Sequence, residues 1–332
     1  MKFTRREFIR DGVAAFTLSF AAPAFLVDIA RAQGAVSRNL VVIYLAGGND
    51  ALSTVIPYND PFYYSRRPSI AVPAGQVLQI GSDSSGKALG LHPRLTGLQT
   101  IFNEGRLAVI QRTGYRNSSR SHFEGTDIWG TADPNNPTGL GWLGRYLDAL
   151  PGPGDPLAGW NTSGATYRAL TGVNVSVPSI TDPRSYSFAS PNSGTEAITE
   201  RNSAIRLAAS VNADRPQLGF VNASAMEAFA TLDRVASVVN YTSSVTYPNN
   251  GFAQALRTVA GSMSKGIGTR VYWVQTGGFD THSNARNTQT ALLRQVSTAI
   301  SNFMRQINAT SRANDVTVFV YSEFGRRVAA NP

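Results

Sequence analysis

Three acidic residues stand just after short apolar runs of the sequence. They are Asp50, Asp280 and Glu323, and His282 lies two residues beyond the second of them. Carboxylates gathered in one crevice repel one another unless a cation joins them, and carboxylate oxygens and imidazole nitrogens are common ligands of divalent cations. The pattern predicts a site for a divalent metal (Zn²⁺, Mn²⁺, Mg²⁺ or Ca²⁺) with these four residues as ligands.

The four residues meet only if the preceding segments lie side by side. Residues 39–46, 270–275 and 316–321 are short apolar runs rich in β-branched residues, which is typical of strands buried on both faces of a parallel sheet. A predicted helix at 95–102 followed by a predicted strand at 107–111 adds βα alternation. The carboxyl ends of parallel strands line the ligand crevice of an α/β sheet, so we expect one site there.

The remaining segments are assigned by the same patterns. Residues 131–141 and 151–163 are dense in Gly, Pro, Asn and Asp, which predicts loops, and about 130–215 is interpreted as a loop-rich insertion. Helical periodicity predicts further helices at 195–209, 223–239, 252–263 and 288–307.

A second cluster contains a hydroxyl and basic residues. Ser121 stands where a helix could begin, with Glu124 three residues later as in a capping box. A helix N-terminus attracts anions, and a hydroxyl near a metal can act as a nucleophile, so Ser121 is a candidate catalytic residue. Arg120 and His122 are candidate substrate-binding residues, and Arg116 would also suit a phosphate or sulfate group.

Each motif also has a simpler structural interpretation. These are a plain turn at Gly47 and Gly48, a helix cap at Asp280 beside a solvated His282, an ion pair of Glu323 with Arg326 or Arg327, an N-cap at Ser121, and a loop or helix-start role for His92. The turn after the first strand lacks the G-x-G-x-x-G pattern, which excludes a dinucleotide fingerprint there.

Composition narrows the classes of function. The 332 residues include no cysteine, which excludes disulfides and thiolate metal sites. The formal net charge is +9, but the arginines are scattered and form no basic run, so we expect no nucleic-acid partner.

The N-terminus has the order of an export signal. Arg5 and Arg6 precede an apolar run at 12–25, and Ala30 and Ala32 flank a small-x-small cleavage site. The apolar run is shorter than the roughly 20 residues of a membrane-spanning helix. We expect residues 1–32 to be a twin-arginine signal peptide that engages the twin-arginine translocase and is removed. The mature chain is then periplasmic or secreted, with no membrane span.

Several motifs together resemble one family. Residues 39–50, 90–93, 120–123, 141–145, 277–282 and 322–327 look like those of the DUF1501 family, whose members belong to the alkaline phosphatase and sulfatase superfamily. The resemblance implies that residues 38–332 form an alkaline phosphatase-like αβα sandwich with a metal site at the strand ends. Relatives continue with a Gly-Thr-Asp-His-Gly segment, so the domain is expected to be C-terminally incomplete.

The resemblance also implies roles for individual residues. Asp50 would take the place of the metal aspartate after the first strand, Asp280 and His282 would match an Asp…His metal pair, and Glu323 the acid after a late strand. Ser121 would attack phosphorus or sulfur.

The function expected from these observations is an exported metal-dependent hydrolase of phosphate or sulfate esters. Its substrates would be small anionic esters or sulfated or phosphorylated glycans. The alternative is a non-catalytic exported binding or cell-surface assembly protein on the same scaffold.

Overall fold

The computed structural model describes residues 38–151, 154–209 and 216–329, so the predicted signal segment 1–32 lies outside the described residues. The strands, in chain order, are β1 (Asn39–Leu45), β2 (Val55–Ile56), β3 (Leu78–Ser82), β4 (Ala88–Leu91), β5 (Gly159–Asn161), β6 (Val271–Thr276) and β7 (Val316–Tyr321). The α-helices are α1 (Ala51–Thr54), α2 (Pro61–Arg66), α3 (Thr96–Asn103), α4 (His122–Thr131), α5 (Trp142–Asp148), α6 (Gly194–Ala209), α7 (Pro216–Val239), α8 (Gly251–Ser264) and α9 (Ala285–Asn308).

A parallel sheet forms the centre of the fold, in the order β5-β6-β1-β7. All its strand pairs are parallel, and Leu45 of β1 lies opposite Thr276 of β6 while Tyr44 lies opposite Tyr321 of β7. The carboxyl ends of β1, β6 and β7 are therefore level with one another. The predicted α/β class and mostly parallel sheet are confirmed.

Both faces of this sheet are buried against other elements. Val41 and Ile43 of β1 belong to a core that contains the apolar faces of α8 and α9. Val42 and Tyr44 point to the opposite face, where they join a second core with residues of α5. Alternate residues of one strand thus fill two cores, as the continuous apolar run of β1 requires.

A small antiparallel sheet, in the order β2-β4-β3, lies beside the parallel one and was not anticipated. Its inner side contributes to a third, smaller core that includes Ile56 of β2 and Tyr63 of α2. The sheet places α2 near the carboxyl end of β1.

Most predicted elements are present with shifted ends, but two assignments are wrong. Residues 107–111 form no strand. They alternate between half-buried and exposed up to residue 110 and pair with none of the described strands, so the apolar run does not join a sheet. Within the predicted loop 151–163, residues 159–161 form β5, whose Trp160 is fully buried. Three residues are too few for a period to be seen. None of the helices in the described ranges has the length and apolar character needed to cross a membrane.

Candidate functional site

Two glycines allow the loops after β1, β6 and β7 to pack closely. Gly47 has φ +112°, and a Cβ there would lie 2.4 Å from the backbone nitrogen of Asp280. Gly48 has φ +68°, and its Cβ would lie 2.6 Å from the ring of Phe324. The two glycines form a turn, as the simpler interpretation predicted. A larger residue at either position would push the three loops apart.

His122, the first residue of α4, joins the loops after β6 and β7. Its Nδ1 lies 2.7 Å from Glu323 Oε1, and its Nε2 lies 3.2 Å from Asp280 Oδ1. The ring also packs against Phe324 in a tilted arrangement, with 4.7 Å between ring centroids. Because both ring nitrogens face carboxylate oxygens, the two carboxylates fix the orientation of the ring.

Glu323 is held by the backbone of the neighbouring strand end. Its side chain is 1% exposed, and Oε1 also accepts a hydrogen bond of 2.9 Å from the Gly47 N–H. The adjacent Ser322 hydroxyl accepts from the Asn49 N–H at 2.8 Å and donates to the Leu45 carbonyl at 2.6 Å. The ends of β1 and β7 are thereby tied together around the carboxylate.

Two buried phenols lie beneath the cluster. Burial, and after it the charge of Glu323, raises the pKa of both Tyr44 and Tyr321. The Tyr44 hydroxyl is 2.6 Å from Thr126 Oγ1, which donates to the His122 carbonyl. Both phenols therefore stay protonated and act as neutral supports of the strand ends and α4.

Asp280 is more open and pairs with an arginine. Its side chain is 42% exposed, and Arg326 Nη1 lies 2.7 Å from Oδ1 while Nη2 donates to the Thr281 carbonyl at 2.7 Å. Desolvation opposes ionisation of Asp280, but the Arg326 hydrogen bond and the charges of His122, His282 and Arg326 outweigh it and lower the pKa. The arginine considered as a partner of Glu323 thus pairs with Asp280.

His282 lies at the outer side of this cluster. Its ring is 75% exposed, and its Nδ1 is 3.4 Å from Asp280 Oδ1. The structure therefore places both predicted partners, Asp280 and His282, next to each other, with the imidazole facing solvent.

Asp50 has a different environment, although it too follows a strand. Its Oδ2 pairs with Arg67 and accepts a hydrogen bond of 2.7 Å from the Ser53 hydroxyl, whereas its buried Oδ1 has no hydrogen-bond partner among the described residues. Arg67 is 1% exposed and also donates from Nη1 to the carbonyls of Arg327 and Val328, at 3.1 and 3.0 Å. Arg67 thus fixes the segment after β7 against Asp50.

Ser121 is the N-cap of α4. Its Oγ accepts a hydrogen bond of 3.4 Å from the Glu124 N–H, as the capping-box pattern predicted. Ser121 immediately precedes His122, and Arg120 precedes Ser121. Both residues are exposed. In this cap Oγ acts as the acceptor, so the hydroxyl can still donate its own proton elsewhere.

The predicted metal ligands have suitable chemistry but other partners. In the described ranges no three His, Asp or Glu side chains are grouped in a way that would hold a metal ion. Asp280 and Glu323 are joined by His122, and Asp50 pairs with Arg67. A metal ion bound by these side chains would have to displace the present partners of Asp50, Asp280 and Glu323.

Sequence reasoning missed three residues of the site. Arg67 pairs with Asp50, and Ser322 hydrogen-bonds the end of β1. Phe324 packs against the His122 ring. Ser322 and Phe324 flank Glu323 in the motif already singled out, so their position was a usable signal. Arg67 follows an ordinary short helix and carries no comparable signal.

Comparison with known proteins identifies a family but no characterised relative. No curated protein and no solved structure matches the chain significantly. One family model, described as "Protein of unknown function (DUF1501)", matches residues 37–332. That match covers all three strand-end motifs and the segment around His122, and the chain therefore belongs to the DUF1501 family.

Proposed function

We propose that this chain is an exported hydrolase of phosphate or sulfate esters, with its reaction centre at His122. The observation that carries the proposal is the position of the His122 ring, held between the buried Glu323 and the exposed Asp280. An imidazole with one nitrogen held by a buried carboxylate and the other beside an exposed one, in a side chain that is itself 32% exposed, is suited to general acid–base catalysis. The proposal also includes membership of the alkaline phosphatase and sulfatase superfamily, and export by the twin-arginine pathway.

The proposed chemistry divides between His122 and Ser121. In the first step Ser121 Oγ bonds to phosphorus or sulfur and gives its proton to solvent water. The bond to the departing ester oxygen breaks, and that oxygen takes the Nε2 proton of the protonated His122 ring, whose charge Glu323 stabilises. In the second step neutral His122 takes a proton from a water molecule whose oxygen bonds to phosphorus or sulfur, and Ser121 Oγ leaves and regains a proton from solvent. The Ser121 hydroxyl is the proposed nucleophile, because it is exposed at the start of α4 where free backbone N–H groups favour an anionic ester. Arg120 is proposed to attract the anion.

The first test is hydrolysis of p-nitrophenyl phosphate and p-nitrophenyl sulfate by the full chain. We expect His122→Asn to lower kcat/KM by about 100-fold or more, which is typical of the loss of a general acid or base. Arg294→Gln, an exposed change on α9, is the control and should retain activity. Equal rates for H122N and the unmodified chain would refute the role of His122.

Ser121 needs a variant that separates capping from catalysis. Ser121→Asn keeps a good N-cap but removes the hydroxyl, whereas Ser121→Thr keeps both. We expect S121N to unfold at the same urea concentration as the unmodified chain and to lose hydrolysis, while S121T retains some activity. Full activity of S121N would leave Ser121 with a capping role alone.

The predicted divalent metal is tested in the same assay. Metal dependence requires that a chelator stops turnover and that Zn²⁺, Mn²⁺, Mg²⁺ or Ca²⁺ restores it. It also requires that His282→Asn lowers activity, because His282 is a predicted ligand. Turnover that survives chelation and H282N would refute the metal while leaving the His122 centre intact.

One observation favours the alternative, a non-catalytic binding or assembly protein. Helix α6 has no buried residue in the described part, and it exposes large apolar side chains at Ile198 (61%) and Leu207 (70%). Exposed apolar side chains of this kind suit contact with a partner protein. This alternative predicts no turnover, and it predicts partner binding that Ile198→Ser with Leu207→Ser abolishes but Asp280→Asn does not.

A further inference from the structure

A cavity of about 180 Å³ lies next to the chain segment that follows β1 and has Ser53 in its lining. Ser53 lines the cavity and also hydrogen-bonds Asp50, and Gln289 lines it and donates from Nε2 to Asn49 Oδ1 at 2.7 Å. The cavity therefore shares a wall with the strand-end site. This volume is well above the roughly 10–15 Å³ that a single water molecule requires, so the cavity has room for a small solute.

Gln289 lines this cavity, and its amide oxygen is a covered acceptor that meets a ligand when the amide turns toward the cavity. The residue is 4% exposed, and its Oε1 has no hydrogen-bond partner in the part of the chain that the structure describes. A buried amide oxygen without a partner costs free energy, which a ligand hydroxyl or N–H would recover.

His92 supplies a donor of fixed tautomer. It is 5% exposed, and its Nδ1 accepts a hydrogen bond of 3.1 Å from the Arg94 N–H, so the ring proton lies on Nε2. Burial, with a smaller contribution from Arg94, lowers the pKa of His92 to about 4. The ring is thus a neutral lining group at physiological pH.

Two arginines supply the charge. Arg94 and Arg286 both line the cavity, and neither forms an ion pair within the described ranges. They come from different elements, since Arg94 follows β4 and Arg286 lies in the first turn of α9, and both residues are exposed. A pair of unneutralised guanidinium groups favours an oxyanion such as phosphate or sulfate.

We propose that this cavity binds a small hydroxylated phosphate or sulfate ester, such as a sugar phosphate or sugar sulfate. Arg94 and Arg286 hold the oxyanion, and Gln289 Oε1 accepts from a hydroxyl of the same molecule. The inference rests on the proposed function for the class of ester, but binding at the cavity requires no turnover.

Binding is measured by calorimetry on the full chain, with glucose 6-sulfate, glucose 6-phosphate, inorganic sulfate and glucose as probes. We expect at least one sugar ester to bind more tightly than sulfate or glucose. Arg94→Gln and Arg286→Gln should each weaken it by about ten-fold, as loss of a charge-assisted contact does. Arg294→Gln removes the same charge from an exposed site of α9 and should change binding by less than about two-fold.

Gln289→Met tests the hydroxyl contact. It should weaken the sugar ester several-fold without changing the affinity for inorganic sulfate. The proposal is overturned if neither sugar ester binds saturably, or if R94Q, R286Q and R294Q have equal effects. If H122N binds the sugar ester as the unmodified chain does, the cavity is supported as a separate binding site. If the unmodified chain also shows no turnover, the proposed hydrolase is refuted while the cavity proposal stands.

Discussion

Asp50 and Asp280 each follow a strand of the parallel sheet, yet their surroundings differ. The Asp50 side chain is 13% exposed and pairs with Arg67, which is itself 1% exposed. The Asp280 side chain is 42% exposed and faces both Arg326 and the His122 ring. Burial, and not position after a strand, distinguishes these two carboxylates. The charge of Asp50 is committed to holding the fold together, and that of Asp280 is accessible to solutes.

The largest effect is expected on the Asp50 side. Arg67→Met leaves a buried carboxylate without its cation, and breaking a buried pair in this way costs about 3–5 kcal/mol in the free energy of unfolding. Urea unfolding followed by circular dichroism measures this change. Asp50→Asn combined with R67M should recover much of the loss, because no buried charge then remains.

The control for R67M is Arg184→Met. Arg184 pairs with Asp182 at 2.7 Å, but its side chain is 76% exposed, so we expect little change in stability. If R67M and R184M had similar effects, the contrast between a buried and an open ion pair would be wrong.

Glu323 provides the next test, on the Asp280 side. Glu323→Gln keeps the shape but replaces an acceptor by an amide N–H₂ near the Gly47 N–H and His122. We expect a loss of about 1.5–3 kcal/mol in the free energy of unfolding, the range for hydrogen bonds to charged groups. Glu124→Gln, at an exposed position of α4, is the control and should be nearly neutral.

Gly47 lies in the loop between β1 and Asp50 and packs against the backbone of Asp280, so it gives a third test. Gly47→Ala forces a Cβ toward the Asp280 backbone at a positive φ, and such strain costs about 1–3 kcal/mol. Gly277, in the loop after β6, has open space around its Cβ position, so Gly277→Ala is the matched control and should cost little. Equal destabilisation by both changes would contradict the close packing of the three loops.

The smallest effect is a pH dependence at Asp280. Its pKa in the folded chain lies below the ordinary value of 3.8, so its ionisation stabilises the fold above that value and the contribution is lost as pH falls through the lowered pKa. Asp280→Asn should therefore be less stable than the unmodified chain near neutral pH, and the difference should shrink below about pH 4. A difference that stays constant on acidification would contradict the ion-pair origin.

The fold was predictable to the extent that its signals are local. The β-branched run of β1 and the helical period of α9 are visible in short windows, and both elements are present. Residues 107–111 have a similar apolar composition but no neighbouring strand, so the same local signal gave a wrong assignment there. The short β5 gave no local signal, because its place depends on β6.

The site divides in the same way. Local sequence patterns were enough to predict that carboxylates follow three apolar strands, that the turn after the first strand contains glycines, and that Ser121 caps a helix. The contact of His122 with Glu323, 201 residues away, and the ion pair of Asp50 with Arg67 became visible in the folded chain alone. The physical reason is that a side chain's partner is set by burial and by which strand ends pack together. Both depend on contacts between segments far apart in the chain, and no local pattern of residues specifies them.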